Sequence, residues 1–475
     1  MGMSAHENDS MRGVDVADRK PAPAEEADGL PLAQRRWAIL TVALAITMSV
    51  LDGAIANIAL PTIARELNAS PAASIWVVNA YQLAVTVLLL PLSSLGEILG
   101  FRRVYWVGLG VFTLASLSCA LSGSLATLTM ARILQGIGAA GIMSVNGALV
   151  RFIYPRRMLG YGIGINAVVV AISAAIGPTV AAGILAVASW PWLFAVNVPV
   201  GIVALVASRT LPVTRPSRRR FDWLSALWNA LFFGFLVTAI DSAGHGAGWW
   251  ISGGEGLGAL VAGIALVLRQ LPQTSPLLPV DLLRIPLFRL SIATSVASFV
   301  AQMLAYVALP FYLQDQLGRG QVETGLLMTP WPLTTALVAP LAGRLADRYS
   351  AGILGGLGLG AFALGLILLA LLPSNPGIAD IAWRMAICGA GFGLFQSPNN
   401  RAIIGSAPRE RSGGASGMLG TARLSGQSIG AALVALMFGL FGAGATTAAL
   451  ALAAGFAVTA AGVSLLRLIE SGAPR

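Results

Sequence analysis

Long apolar runs, separated by short polar breaks, fill the chain from about residue 37 to residue 468. A helix crossing the hydrocarbon of a membrane needs about 20 predominantly apolar residues. Runs of that size predict fourteen crossings, at residues 37–59, 73–95, 103–122, 126–150, 161–186, 193–211, 222–242, 254–271, 289–313, 322–342, 352–373, 379–402, 412–438 and 444–468. The eighth is the most diluted, by Gly253, Gly256, Gly258 and Gly263.

Composition agrees with that class. Of 475 residues, 56% are hydrophobic and 11% charged, more apolar surface than a soluble core absorbs. The net charge of +10 has its explanation in topology, because cytoplasmic loops carry the excess of Lys and Arg. With the N-terminus inside, the inner loops hold Arg35, Arg36, Arg102, Arg103, Arg151, Arg156, Arg157, Arg215, Arg218 to Arg220, Arg284, Arg289, Arg344, Arg348, Arg409 and Arg411. The outer loops hold little more than Arg65 and Arg319, so both termini are expected in the cytoplasm. Basic residues dispersed over short loops do not make a nucleic-acid face.

Residues 1–36 read as a polar cytoplasmic tail, with seven acidic residues from Glu7 to Asp28, Pro21 and Pro23. Without the apolar stretch of a signal peptide, the tail is expected to be disordered and the first helix to act as an uncleaved signal. Cys119 and Cys388 lie inside expected helices, and His6 and His245 are the two histidines. No disulfide framework, metal site or histidine-based catalytic set can be assembled from them, which disfavours an enzyme and implies no cofactor. No Gly-x-x-x-x-Gly-Lys-Ser/Thr loop is present to bind ATP.

Two of the polar breaks repeat each other. Ser93-Ser94-Leu95-Gly96-Glu97-Ile98-Leu99-Gly100-Phe101-Arg102-Arg103 and Gly343-Arg344-Leu345-Ala346-Asp347-Arg348-Tyr349-Ser350 lie about 250 residues apart, each between a second and a third helix. The duplication implies an all-α membrane protein of six helices (residues 37–211), a two-helix insert with its linkers (212–288) and six more (289–470). Two such bundles around a central cavity expose it alternately to either side. A carboxylate beside arginines on a tight turn can latch onto a neighbouring helix and release as the bundles tilt, making Glu97, Arg102, Arg103, Asp347 and Arg348 gate candidates. The competing reading is of interfacial charges that merely obey the positive-inside pattern.

Asp52 and Arg132 are the deepest acid and base of the first six helices. Asp52 lies about 22 Å in from the cytoplasmic end of its helix and Arg132 about 21 Å from the same side, so they share a depth. A carboxylate there is a candidate proton carrier or cation contact, tuned by the guanidinium; the alternative is a static structural pair. Arg423 is also deep, without an acid at its level, and is expected to pack on backbone carbonyls. Trp76, Asn79, Gln82, Asn146, Asn166, Gln302, Tyr306, Trp331, Gln396 and Asn399 are polar or aromatic residues inside apolar spans, and suit a cavity for a planar lipophilic guest. Each serves equally as an interhelical hydrogen bond. Glu323 reads as a solvated helix cap and Asp241 as an exposed helix end.

The chain resembles the major facilitator superfamily, specifically its fourteen-helix drug:proton antiporter branch, over about residues 37–468. Leu51-Asp52-Gly53-Ala54-Ile55-Ala56-Asn57-Ile58-Ala59-Leu60-Pro61 is similar to the family's first-helix motif, and Leu128-Thr129-Met130-Ala131-Arg132-Ile133-Leu134-Gln135-Gly136-Ile137-Gly138 to its fourth-helix arginine motif. Gly177-Pro178 resembles the fifth-helix antiporter motif, whose contact the resemblance implies to seal the cavity against leak. Glu97 replaces a usual aspartate, Ile98 a usual basic residue, Ser350 a glycine, and Ala181-Ala182 a pair of glycines. The resemblance implies a monomer of the cytoplasmic membrane that exports amphipathic, cationic drugs in exchange for protons. A dedicated metabolite exporter, a symport importer and a non-transporting receptor are the rivals.

Overall fold

The computed structural model describes residues 28–214, 217, 220–244, 248–273, 276–408 and 411–471. The leader before Asp28, His245, Arg215, Arg218, Arg219 and Arg409 lie outside the described residues, as does the side chain of Arg156. Among the described residues the chain is helical with no strand.

Thirteen helices are long and apolar enough to cross a membrane among these residues. The first twelve are α1 (Leu32–Glu66), α2 (Pro71–Leu99), α3 (Phe101–Ala120), α4 (Leu125–Ile153), α5 (Leu159–Val187), α6 (Trp192–Thr210), α7 (Trp223–Gly244), α8 (Trp249–Gln270), α9 (Pro286–Gln316), α10 (Gln321–Leu345), α11 (Ala351–Ala370) and α12 (Ile378–Ser406). The thirteenth, Gly413–Leu468, is 56 residues long and is broken at Gly442, where φ is +50°. Its parts are α13 (Ser412–Phe441) and α14 (Ala445–Ser471).

Several helices outrun the apolar runs that announce them. α1 continues past residue 59 through Pro61 to Glu66. Proline deprives the Asn57 carbonyl of its helical donor, and the neighbouring Ile58 carbonyl accepts from Gln314 Nε2 at 2.8 Å. The glycine-diluted α8 begins at Trp249, five residues earlier than its apolar core suggests, with the large indoles of Trp249 and Trp250 exposed at its start.

Packing follows the same scheme twice. α1 packs on α5 and α6, α4 on α2 and α3, and α3 on α6. Likewise α9 packs on α13 and α14, α12 on α10 and α11, and α11 on α14. Glycine makes the tightest of these approaches possible. A Cβ on Gly138 would strike the Phe112 backbone in α3, and one on Gly391 would strike the Phe362 backbone in α11. Gly108 faces Gly141 backbone to backbone, and Gly358 faces the Gly391 carbonyl, at positions separated by the spacing of the two loop signatures.

α7 and α8 form a hairpin, and α7 packs it on α2 and α13. Asn229 donates to the Val87 carbonyl at 2.9 Å and Trp76 Nε1 to Asp241 at 3.1 Å. Asp241 is therefore half-buried and tied to α2 instead of being an exposed helix end. At the other end of the hairpin, Asp222 caps α7 and accepts from Ser225, Arg269 and Gln273. Burial acts to raise its carboxyl, but these hydrogen bonds outweigh it and hold the group below the usual carboxylate range.

Candidate functional site

Asp52 and Arg132 do meet. Arg132 Nη1 donates to Asp52 Oδ2 and, at 2.6 Å, to Gln135 Oε1, while its Nε donates to the Val77 carbonyl at 2.8 Å. Asp52 Oδ1 accepts from Gln135 Nε2 at 2.8 Å and from Asn197 Nδ2 at 2.9 Å. The guanidinium carbon stands 4.2 Å from the Tyr81 ring centre and 5.5 Å from that of Phe194. One cluster thus joins α1, α2, α4 and α6, and the Gln135 bond to Ser116 Oγ at 2.9 Å adds α3.

This cluster is closed. Asp52 is 2% exposed and Arg132 0%. The expectation of a carboxylate facing an aqueous cavity is not what this geometry presents, because three donors and five helices occupy the space around it. Gln135 and Asn197, which the sequence reading did not single out, complete the shell. Gln135 was legible, since it lies three positions after Arg132 on the same helix face; Asn197 comes from a distant helix and gave no local signal.

The loop signatures differ from each other. Asp347 pairs with Arg401, at the end of α12, and not with its neighbour Arg348. Both partners are 61% exposed, so the latch is weak. Gly100, at φ +97°, turns the chain between α2 and α3, and Phe101 N donates to Thr214 Oγ1 at 3.1 Å. The Glu97 carbonyl accepts from Ser217 N at 2.8 Å, while Arg102 and Arg103 form no ion pair among the described residues. Ser350 caps α11, its Oγ accepting from Ile353 N at 3.3 Å, a use that glycine could not supply.

Ties between the first six and the last six helices concentrate where α1 and α9 finish. Arg65 forms an ion pair with Asp315 at 2.7 Å, and Thr62 bonds Gln314 at 3.4 Å. Thr179 of α5 bonds Thr329 of α10 at 2.9 Å, and a Cβ on Gly325 would meet the Pro178 carbonyl at 2.8 Å. Gly177 itself faces Ala54 of α1, so the Gly177-Pro178 pair touches helices of both sets. A second seam runs between α2 and α13, with Gln82 bonded to Gln427 at 3.0 Å and Thr86 to Ser428 at 2.9 Å.

The expected cavity residues divide. Gln82 lies on that seam, and Asn79 is buried on the same helix with both amide atoms unpartnered. Gln302, Tyr306 and Gln396 are half-buried. Tyr306 meets Trp331 edge-on at 4.9 Å, at the head of an aromatic cluster that runs through Phe362, Phe392, Phe395 and Phe299. Trp331, 1% exposed, is core and not lining. Three more have other uses: Trp76 holds α7, Asn146 donates to Asn166 at 2.9 Å between α4 and α5, and Asn399 donates to Ser295 at 2.7 Å between α12 and α9.

The remaining acids are mostly engaged. Glu323 pairs with Arg319 at 2.8 Å, Asp380 with Arg384 at 3.1 Å, and Glu66 accepts from Trp190 at 2.8 Å. Glu255 in α8, unremarked in the sequence, has a buried Oε2 without a partner. No group of His, Cys, Asp and Glu among the described residues could hold a metal ion.

Residues 42–431 match the family model described as Major Facilitator Superfamily. The chain is 60% identical over 451 residues to the uncharacterized transporter YebQ of Escherichia coli K12, covering 94% of this chain and 99% of that one. It is 31% identical to the riboflavin transporter RibZ of Clostridioides difficile, over 85% of this chain and 89% of the relative. The multidrug resistance protein Stp of Mycobacterium tuberculosis is 33% identical, over 83% and 74%. Among solved structures, a peptide transporter of the POT family superposes with a TM-score of 0.70 at 16% identity, over 91% of this chain and 94% of that one. A bacterial homolog of the human lysosomal transporter Spinster, in an inward-facing and unoccupied conformation, does so at 0.66, over 92% and 97%.

Proposed function

The chain belongs to the major facilitator superfamily, and from that premise we propose a proton-coupled exporter of small amphipathic molecules in the cytoplasmic membrane. The reading counts fourteen crossings, which is supported by the last apolar stretch: at 56 residues it is far longer than one crossing needs, and it is broken at Gly442. The repeated packing scheme then reads as two six-helix bundles, α1 to α6 and α9 to α14, with α7 and α8 as an insert on their seam. Arg65 and Asp315 stand 250 positions apart, so equivalent places of the two bundles touch each other, as at a two-fold axis.

The observation that carries the reading is the placement of breakable ties. Most polar contacts between bundles gather where α1 and α9 finish, and a second pair, Gln82 to Gln427 and Thr86 to Ser428, lies partway along α2 and α13. At the loop-signature end the ties among the described residues stay inside a bundle or run to a linker, as in Asp347 to Arg401 and Arg411 to Asp281. Such a molecule is closed at one face and free to rock about the other. With the arginine-rich loops inside, the closed face is the outer one.

Asp52 and Arg132 take a structural role in this reading, clamping the first bundle. Proton exchange falls instead to Asp315, whose pair with Arg65 is the one ion pair joining the bundles among the described residues. A proton arriving from outside neutralises Asp315, releases Arg65 and favours opening. The relatives named for multidrug resistance support efflux of drug-like molecules, and the riboflavin relative supports a planar aromatic guest. With the carboxylates at membrane depth in the two bundles engaged, this reading does not call for a cationic guest.

Purified protein in liposomes under an imposed pH gradient tests this reading. Inverted liposomes should accumulate a neutral planar dye as protons move outward, and Asp315→Asn should uncouple the two fluxes. Dye movement that ignores the pH gradient would overturn proton coupling, and no movement of any planar probe would overturn the transport reading.

A further inference from the structure

Three arginines sit deep in the two bundles, and they are treated differently. Arg132 has Asp52, Gln135 and the Val77 carbonyl; Arg384 has Asp380 and the Leu368 carbonyl. Arg423, 11 positions into α13 and so about 16 Å along it, makes no hydrogen bond or ion pair among the described residues. Its Nε is buried without a partner. The expected packing on backbone carbonyls is absent.

The place of Arg423 is fixed by its neighbours on the helix. Gly420 and Gln427, three before and four after, share its face. A Cβ on Gly420 would sit 3.5 Å from Leu89, and Gln427 accepts from Gln82, so this face looks across the seam at α2. The Tyr81 phenol is an electrostatic neighbour. Arg423 is half-buried, so its head is reachable, in contrast to Arg467, also unpartnered, which is 1% exposed near the end of α14. The amide nitrogen of Gln427 also lacks a protein partner among the described residues and adds a second donor on the same face.

We propose that the seam between α2 and α13 is the receptor for an anionic group on the transported molecule, with Arg423 supplying the guanidinium and Gln427 a supporting amide. The substrate class is an amphipathic organic acid: a carboxylate, or an anion delocalised in a ring, attached to a planar apolar body. A guanidinium presents a planar fork of donors that matches a carboxylate in two bonds. An unpaired charge at this depth faces a cavity and a partner, and a guest that brings the missing anion completes the pair as it enters. The proposal rests on the transport reading and narrows it.

The test uses full-length protein and three probes of one shape: 2-naphthoate, 2-naphthamide and 2-naphthylmethylamine. Binding is measured by equilibrium dialysis, with transport of a neutral planar dye followed in parallel. Wild type should bind naphthoate at least tenfold tighter than either analogue. Arg423→Gln should lose that preference and Arg423→Lys should keep part of it. Tighter binding of the amine by wild type, or an undiminished naphthoate preference in Arg423→Gln, overturns the proposal while leaving the exporter reading intact. If Arg423→Gln does not fold, the wild-type ranking and Gln427→Ala decide, the latter being expected to weaken naphthoate alone. Absence of all dye transport in wild type is the separate failure of the exporter reading.

Discussion

The first six helices and the last six, the two bundles of the proposed reading, share one packing scheme and are held by different chemistry. At the core of the first lies an ion pair, Asp52 with Arg132, in a shell of Gln135, Asn197 and Val77. In the second, α9 to α12 converge on an aromatic cluster of Trp331, Phe362, Phe392, Phe395 and Phe299, which contains no charge. The helix arrangement therefore does not depend on either solution. Glycine contacts repeated at Gly138 and Gly391 set the distance between helices, and the core filling is free to diverge. What differs is vulnerability: the first bundle fails when one charge is removed, the second when volume is removed.

The largest effect should come from leaving a buried charge alone. Arg132→Leu strands the Asp52 carboxylate and should cost about 3 to 5 kcal/mol of stability, read from unfolding of the purified protein. The double change Arg132→Leu with Asp52→Leu should recover much of that loss, because the uncompensated charge is gone. Phe392→Ala should cost about 3 to 5 kcal/mol in the second bundle. Equal recovery there on adding a second truncation would break the comparison, since cavities add and do not cancel.

Smaller effects sharpen it. Gly138→Ala and Gly391→Ala should each cost about 1 to 3 kcal/mol through the same forced helix separation; a large difference between the two would mean that the bundles are not spaced by equivalent contacts. At the closing end, Arg65→Gln should change stability by less than about 1 kcal/mol, as both partners are substantially exposed. The smallest effect belongs to the insert. Asp222 is held below its ordinary value of 3.8, so it stabilises the α7–α8 hairpin above that pH and loses this contribution as the pH falls further. Hydrogen exchange at the start of α7 should quicken on acidification below about pH 4 in wild type and be rapid at every pH in Asp222→Ala.

Much of the fold was legible because membrane-crossing helices announce themselves by length and composition. The Asp52 and Arg132 pair was legible too, as rare charges at a shared depth. Orientation was not. In a helix apolar on nearly all sides, nothing in the spacing says whether Trp76, Asn146 or Asn399 turns to a cavity or to a neighbouring helix, and each proved to be an interhelical bond. Arg401 was missed as the partner of Asp347 because the contact depends on how α12 ends beside α10, which local sequence does not encode.

The central claim is that the bundles move as units about ties that break only at one end. Spin-label distances test it most directly, with labels at Ser70 and Gly320 across the closed end, at Arg103 and Arg348 across the signature loops, and at Arg103 and Arg151 within one bundle. In Asp315→Asn the first distance should lengthen and the second shorten relative to wild type, with the third unchanged. Unchanged distances between bundles, or a change within the bundle as large as that between them, would contradict the account.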